Sequence, residues 1–535
     1  MPRWKQRKQA LTSAWQANPL LFCGLLLTLC TALFPIWIAR YLPLLDYPGH
    51  LANLYVWRHL HDPALRYDSY YQENLVPLPY WVQYGMEYLL AIPFGEEAAQ
   101  KLFLSLAIAL LPASVALFAK QLGRDPWVSV LAFPLAWNMN VSHGFLAYVG
   151  GLPLLFFALC SALRFADSPS IFRGILTTLL GVCLYFSHIL IWGAFLCIGS
   201  VLSILSVSSW SLRRLICLPL PFVPVGLVGV WAQLYGNAEK TNLPVAGKGL
   251  SAYEGVYNTF SANLGMISGW TMNALPGLRD EHLYSGILLG GYLLLLLSSL
   301  WCRNPSFYDG HKAQSPIVSM LRSLVCSRAL WGFLITAILY FSLPRSLIRP
   351  FYWFAINRRL AVLLCLFALF LISGSLLVSR LRQVTLLAMM ALSIVYTIDI
   401  SAHFVRFNRR NHAFDELMAQ VPLGKQVLPL MFAPGDRDAL MNCFNQWGSY
   451  IQIRQGGFMT PYFPVEFPLK VHKRLLSPAW DAPGEFHFAY HAPGWDYVLL
   501  HGATQLPIFS GSDPRLRLVD RRGAWSLFQK EENNP

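Results

Sequence analysis

An apolar run ends at Leu45 and is followed at once by Asp46, Tyr47, Pro48, Gly49 and His50. A carboxylate four residues before an imidazole shares a face with it if a helix starts there, and such a pair suits proton transfer or metal ligation. The same residues also read as a plain helix start, with Asp46 capping the first turn and Pro48 inside it. A second cluster is basic: Arg345, Arg349, Arg358 and Arg359 fall between two apolar runs. Guanidinium groups offer a planar fork of donors that matches phosphate oxygens; snorkelling toward lipid headgroups is the simpler use of arginine at a membrane edge. Asn140 and His143, within the stretch from Trp137 to Phe145, and His188 beside Ser187 interrupt apolar surroundings. Polar groups there are costly unless they face a protein interior or a wet cavity, so they either line a cavity shared with Asp46 or pack turns. Asp280 and Glu281 lie near the end of the segment 236–282, which also carries Glu254, Tyr257, Trp270 and Arg279. Aromatic rings with carboxylates can bind sugars, or can sit as an ordinary interfacial belt.

These side chains need a scaffold, and composition says what kind. The 535 residues are 55% hydrophobic and 13% charged, with a mean hydropathy of +0.43. That is far more apolar than a soluble core requires, so the bilayer is the main solvent. Apolar runs of about 20 residues match a hydrocarbon layer of about 30 Å. Spans are expected near 19–42, 97–119, 126–141, 145–165, 172–187, 189–207, 214–235, 283–301, 329–343, 360–378 and 383–402. The stretch 79–94 is short and carries Gln83 and Glu87, which suits a helix lying at the interface. The basic N-terminus is expected to precede a retained anchor, because the first apolar stretch exceeds a signal-peptide core.

Charge then orients the spans. Lys120, Arg124, Arg164, Arg173, Arg213, Arg214, Arg303, Lys312, Arg322, Arg328, Arg380 and Arg382 fall in alternate loops, which places those loops and the N-terminus in the cytoplasm. Segments 43–96, 142–144, 188, 236–282 and 344–359 then share the outer side. The arginine cluster breaks the charge rule there, and an anionic ligand would account for it. Residues 1–402 read as the membrane domain, with 43–96 as a long first outer loop, and 403–535 as an extracytoplasmic domain. In the latter a helix is expected over 409–420, with strands at 426–431, 496–500, 516–519 and 524–528. Nine of the ten cysteines lie in or beside the apolar runs, so no disulfide framework is readable. The net charge of +14 is scattered through short loops, which points to anionic lipid and not to nucleic acid.

The first span with Asp46, Tyr47, Pro48, Gly49 and His50 just beyond it, the stretch from Asn138 to Pro153, and the overall layout resemble the GT-C superfamily of polytopic membrane glycosyltransferases. The resemblance implies an α-helical polytopic membrane protein of about eleven transmembrane helices, with a small α/β soluble domain at the C-terminus. It implies transfer of a sugar from a polyprenyl-phosphate donor to a glycan, lipid or protein acceptor at the outer face of a bacterial inner membrane. It makes Asp46 the catalytic base or the ligand of a divalent cation, Mg or Mn, with His50 alongside. Arg358, Arg359 and Arg349 become candidates for the donor phosphate, and His143, Asn140, His188, Asp280 and Glu281 for the cavity wall. The second acidic residue of many members has no marked counterpart, Asp68, Glu73, Asp280 and Glu281 being equal candidates.

Two other classes compete. A secondary transporter or flippase would carry ionisable residues at mid-membrane and broken or repeated helices. A non-catalytic scaffold would use the outer domain to bind partners. No phosphate-cradling glycine loop with its lysine, zinc-spaced cysteine and histidine set, or nucleophile elbow occurs in the sequence.

Overall fold

A computed structural model describes residues 18–207, 211–240, 254–301, 327–349, 353–459, 467–479, 481–502, 506–509 and 514–531. The N-terminal basic residues, and Arg303, Lys312 and Arg322 of one expected inner loop, lie outside the described residues. Among the described residues, five helices are long and apolar enough to cross a membrane: Pro19–Ile38, Glu96–Gln121, Leu146–Asp167, Asp280–Ser299 and Arg380–Met418. Four shorter apolar helices accompany them, at Ile171–Ser187, Ile189–Leu205, Phe222–Ala232 and Arg328–Ser342.

Two expected spans take another form for local reasons. The stretch 126–141 is a 3-10 turn, Pro126–Leu131, followed by the short helices Ala132–Ala136 and Met139–Ser142. The Asp125 carboxylate accepts from the Trp127 amide, and the Asn138 side chain accepts from the Asn140 amide. Such local bonds compete with a continuous helix, and Pro134 removes a further donor. The stretch 360–378 is helical only over Ala361–Leu369, before the chain turns through Gly374 at φ +76°. The helix expected over 383–402 instead runs from Arg380 to Asn411 and carries its last turns into the tail.

The main apolar core lies among the spanning helices, with Phe118, Phe156, Phe367 and Phe370 interlocked at its centre. Beyond it, β4 (Val427–Met431), β6 (Tyr497–His501), β7 (Leu516–Arg522) and β8 (Trp525–Lys530) form one sheet in the order β4-β6-β8-β7. β4 runs parallel to β6, and the other pairs are antiparallel. The first loop is built into this tail. β1 (Tyr71–Glu73) pairs with β5 (Leu469–Val471), and the Tyr67 and Tyr71 hydroxyls donate to the carbonyls of Gln452 and Met459 at 2.7 Å. Val56, Tyr67 and Tyr70 share a buried cluster with Leu428, Phe458 and Trp495. The helix Trp81–Phe94 ends the loop, with Gln83 and Glu87 buried and Leu89 and Ile92 exposed.

Candidate active site

Asp46 stands where the first loop meets the turn before the helix Leu146–Asp167. The Leu45 and Asp46 amides donate to the carbonyls of Ser142 and His143, at 3.0 and 2.9 Å. That approach needs glycine at position 144: its φ is +75°, and a Cβ there would lie 2.7 Å from the Tyr47 nitrogen and 2.8 Å from that of Asp46. Asp46 precedes the helix Tyr47–Arg58, yet its carboxylate makes no cap bond. It accepts instead from Gln446 Nε2, at 2.5 Å, a residue 400 positions away in the tail. The capping explanation for this aspartate therefore gives way to a tertiary one.

Arg359 reaches the same place from a distant part of the chain. Its carbonyl is fixed by the Tyr148 hydroxyl at 2.7 Å and by Asn140 Nδ2 at 3.4 Å. Its guanidinium lies over the Phe145 ring, with Cζ 3.7 Å from the centroid. Nη1 donates to His188 Nε2 at 3.0 Å and Nη2 to the Phe354 carbonyl at 3.1 Å, while Nε is buried without a partner. A hydrogen-bonded neutral imidazole and a π face leave the positive charge without a carboxylate pressed against it. His143 stacks between Phe145 and Trp270, at ring-centroid distances of 4.8 and 5.1 Å, which brings the 236–282 segment to the same cluster.

Burial sets the acid–base character. Loss of water pushes the Asp46 carboxyl up to about 7, against the opposing pull of the Arg359 charge and the Gln446 bond. Burial takes His50 down to about 3 and His143 down to about 4, so both are neutral near pH 7. His50 Nδ1 meets the Tyr84 hydroxyl at 2.8 Å. Asp46 is thus the group of the cluster whose proton occupancy changes near neutrality, which is what a general base requires.

A cation such as Mg can be held by one or two carboxylates together with water and substrate phosphates, and Asp46 would be its carboxylate here. Among the described residues no group of three histidine, cysteine, aspartate or glutamate side chains is gathered to hold a metal, and the Asp46 carboxylate meets an amide and an arginine field.

No protein-family model and no curated protein matches the chain. A solved structure does: ArnT from Cupriavidus metallidurans in the apo state, at 10% sequence identity, covers 96% of this chain and 98% of its own with a TM-score of 0.55. This chain has the fold of ArnT.

Within this fold the expected site residues divide. Asp46, His143, Asn140, His188 and Arg359 converge, and they come from segments that charge alone assigned to one side. Arg358 follows Arg345 instead, whose like charge opposes its own, and its Nε is buried without a partner. Arg349 ends the strand β3 (Ser346–Arg349) opposite Glu254, and its side chain lies outside the described residues. Asp280 shapes a turn, accepting from the Ala274 and Leu275 amides at 2.6 and 2.8 Å. Glu281 accepts from Asn273 Nδ2 at 2.5 Å. Sequence reasoning missed Tyr80, Tyr148 and Gln446. Tyr80 holds φ +84°, a rare state for a tyrosine, and brings its ring between His50 and His188. The pairing of Gln446 with Asp46 leaves no mark in local spacing.

Proposed function

We propose that this chain is an integral membrane glycosyltransferase that moves a sugar from a polyprenyl-phosphate donor to an acceptor at the outer face of a bacterial inner membrane. The N-terminus is then cytoplasmic, and the tail with the first loop forms the extracytoplasmic part. The observation that carries this reading is the buried pairing of roles: a carboxyl held near neutrality, Asp46, beside an arginine, Arg359, with an unused donor. ArnT, a transferase of the same fold, supports the class.

In this reading the acceptor hydroxyl attacks the anomeric carbon of the donor. The new bond is acceptor oxygen to carbon, and the bond that breaks joins that carbon to the phosphate oxygen, which departs with the electron pair. The acceptor proton passes to Asp46. Attack opposite the leaving group inverts the anomeric centre. Arg359 holds the phosphate and balances the charge that grows on it, and a guanidinium fixed in place needs little reorganisation to do so. Tyr148 and Asn140 position Arg359 through its carbonyl, and His188 aligns Nη1. His50 is neutral and orients the first loop through Tyr84.

Asp46→Asn tests the reading. Asn can still accept from Gln446 but cannot take a proton, so thermal stability in detergent is expected to survive while transfer of labelled sugar falls by about a hundredfold or more. An Asn variant with full transfer activity would remove Asp46 from the chemistry.

A further inference from the structure

The tail holds a pocket beside β4, an edge strand that among the described residues pairs only with β6. Pro429, Met431, Met459 and Pro478 give it apolar walls. Asn445, Gln446 and Ser449 give it amide and hydroxyl groups, and no lining residue is charged or a histidine. Gln446 joins this pocket to the site. Its Nε2 is spent on Asp46, while its Oε1 is buried without a partner, a state whose free-energy cost a ligand donor would remove.

The chemistry of the walls selects the occupant. An ion buried among uncharged walls would lose its hydration without compensation, so the ligand is neutral. It must donate to an amide oxygen, exchange hydrogen bonds with amides and a hydroxyl, and present C–H faces to proline and methionine. A sugar ring does all three, since each hydroxyl both donates and accepts. An extended peptide adding to the β4 edge is disfavoured, because Pro429 removes an amide donor from a strand of five residues.

We propose that this pocket is the acceptor subsite, that it takes an uncharged sugar, and that Gln446 reads a sugar hydroxyl with Oε1 while holding the Asp46 carboxylate with Nε2. The proposal rests on the glycosyltransferase reading and adds the acceptor class to it. An acceptor held here lies one amide away from the group that takes its proton.

The test uses the purified full chain in detergent, with methyl α-D-glucopyranoside as the probe in saturation-transfer NMR. The wild type is expected to saturate the glycoside, and the anionic methyl α-D-glucopyranosiduronate to give less than about a tenth of that signal. Ser449→Trp, which fills the pocket from a half-buried position, is expected to abolish the signal while leaving binding of undecaprenyl phosphate unchanged. Gln446→Leu is expected to weaken glycoside binding about fivefold, the usual result of one lost neutral hydrogen bond. A wild type without signal, a signal equal in Ser449→Trp, or equal binding of the anion would overturn the proposal. Displacement of the glycoside by acetyl-Ala-Ser-Ala-amide would overturn it in favour of strand addition. A wild type that binds the glycoside in a Ser449-dependent way but not undecaprenyl phosphate would sink the donor reading and leave the sugar site standing.

Discussion

Arg382 and Arg359 are both buried, at 4% and 6% exposure, and their surroundings differ in kind. At Arg382 every nitrogen of the guanidinium is engaged: Nε donates to Ser298 Oγ, Nη1 to the Ser375 carbonyl and Nη2 to the Ser298 carbonyl. It ties the start of the helix Arg380–Asn411 to the helix Ser285–Trp301. At Arg359 one nitrogen is left over, one partner is an imidazole, and Asp46 is close enough for the two charges to act on each other. Two of the buried aspartates, Asp280 and Asp46, repeat the contrast. Asp280 is filled by backbone amides, whereas Asp46 accepts from one side-chain amide. Saturated charges fasten elements together, and an unsaturated charge in the same degree of burial marks where a ligand completes the set.

The sharpest way to break this contrast is to remove each arginine. Arg359→Ala is expected to weaken undecaprenyl phosphate binding by about 10- to 150-fold, the equivalent of a buried charge-assisted contact, with Arg358→Ala well below it. Arg382→Ala is expected to leave that binding within about twofold and to cost about 3 kcal/mol of stability, read as a lower unfolding temperature in detergent. Equal binding losses from the two alanine variants would erase the distinction between fastening and functional arginines.

A smaller effect sharpens the aspartate half. Transfer needs the ionised carboxylate, so the rate is expected to rise with pH through a midpoint of about 7, the value to which burial lifts Asp46. The stability sign is opposite. The native state holds the Asp46 proton to higher pH than the unfolded chain, so this group's contribution is full below the ordinary carboxyl value of 3.8 and is lost as pH rises through about 7. Gln446→Leu removes a bond that favours the charged form and is expected to move the rate midpoint upward. A midpoint unmoved by that change would separate Gln446 from Asp46 in function.

Much of the scaffold was legible because a span needs only a long apolar run. The helices Glu96–Gln121 and Leu146–Asp167 lie within two residues of the expected 97–119 and 145–165. The expected strands at 426–431, 496–500, 516–519 and 524–528 fold as β4, β6, β7 and β8, since apolar runs bounded by turn residues read locally. The broken stretch 126–141 was hidden, because hydropathy averages over Asp125, Pro134 and Asn138, whose local bonds decide the backbone there. Charge patterning put on one side the segments that the fold packs around Asp46, without telling Arg358 from Arg359, which are neighbours in one short helix, Ile356–Arg359, and point to different partners. Gln446 was beyond reach for a simpler reason: the bond to Asp46 spans 400 residues and exists only once the tail packs on the first loop.

The most direct measurement is a cryo-electron microscopy structure of the full chain with undecaprenyl phosphate. Phosphate density is expected within hydrogen-bond reach of Arg359 Nε, about 3 Å away, on the Asp46 side of the Phe145 ring. Phosphate density resting on Arg358 and Arg345 alone, with the Arg359 cluster unchanged, would contradict it.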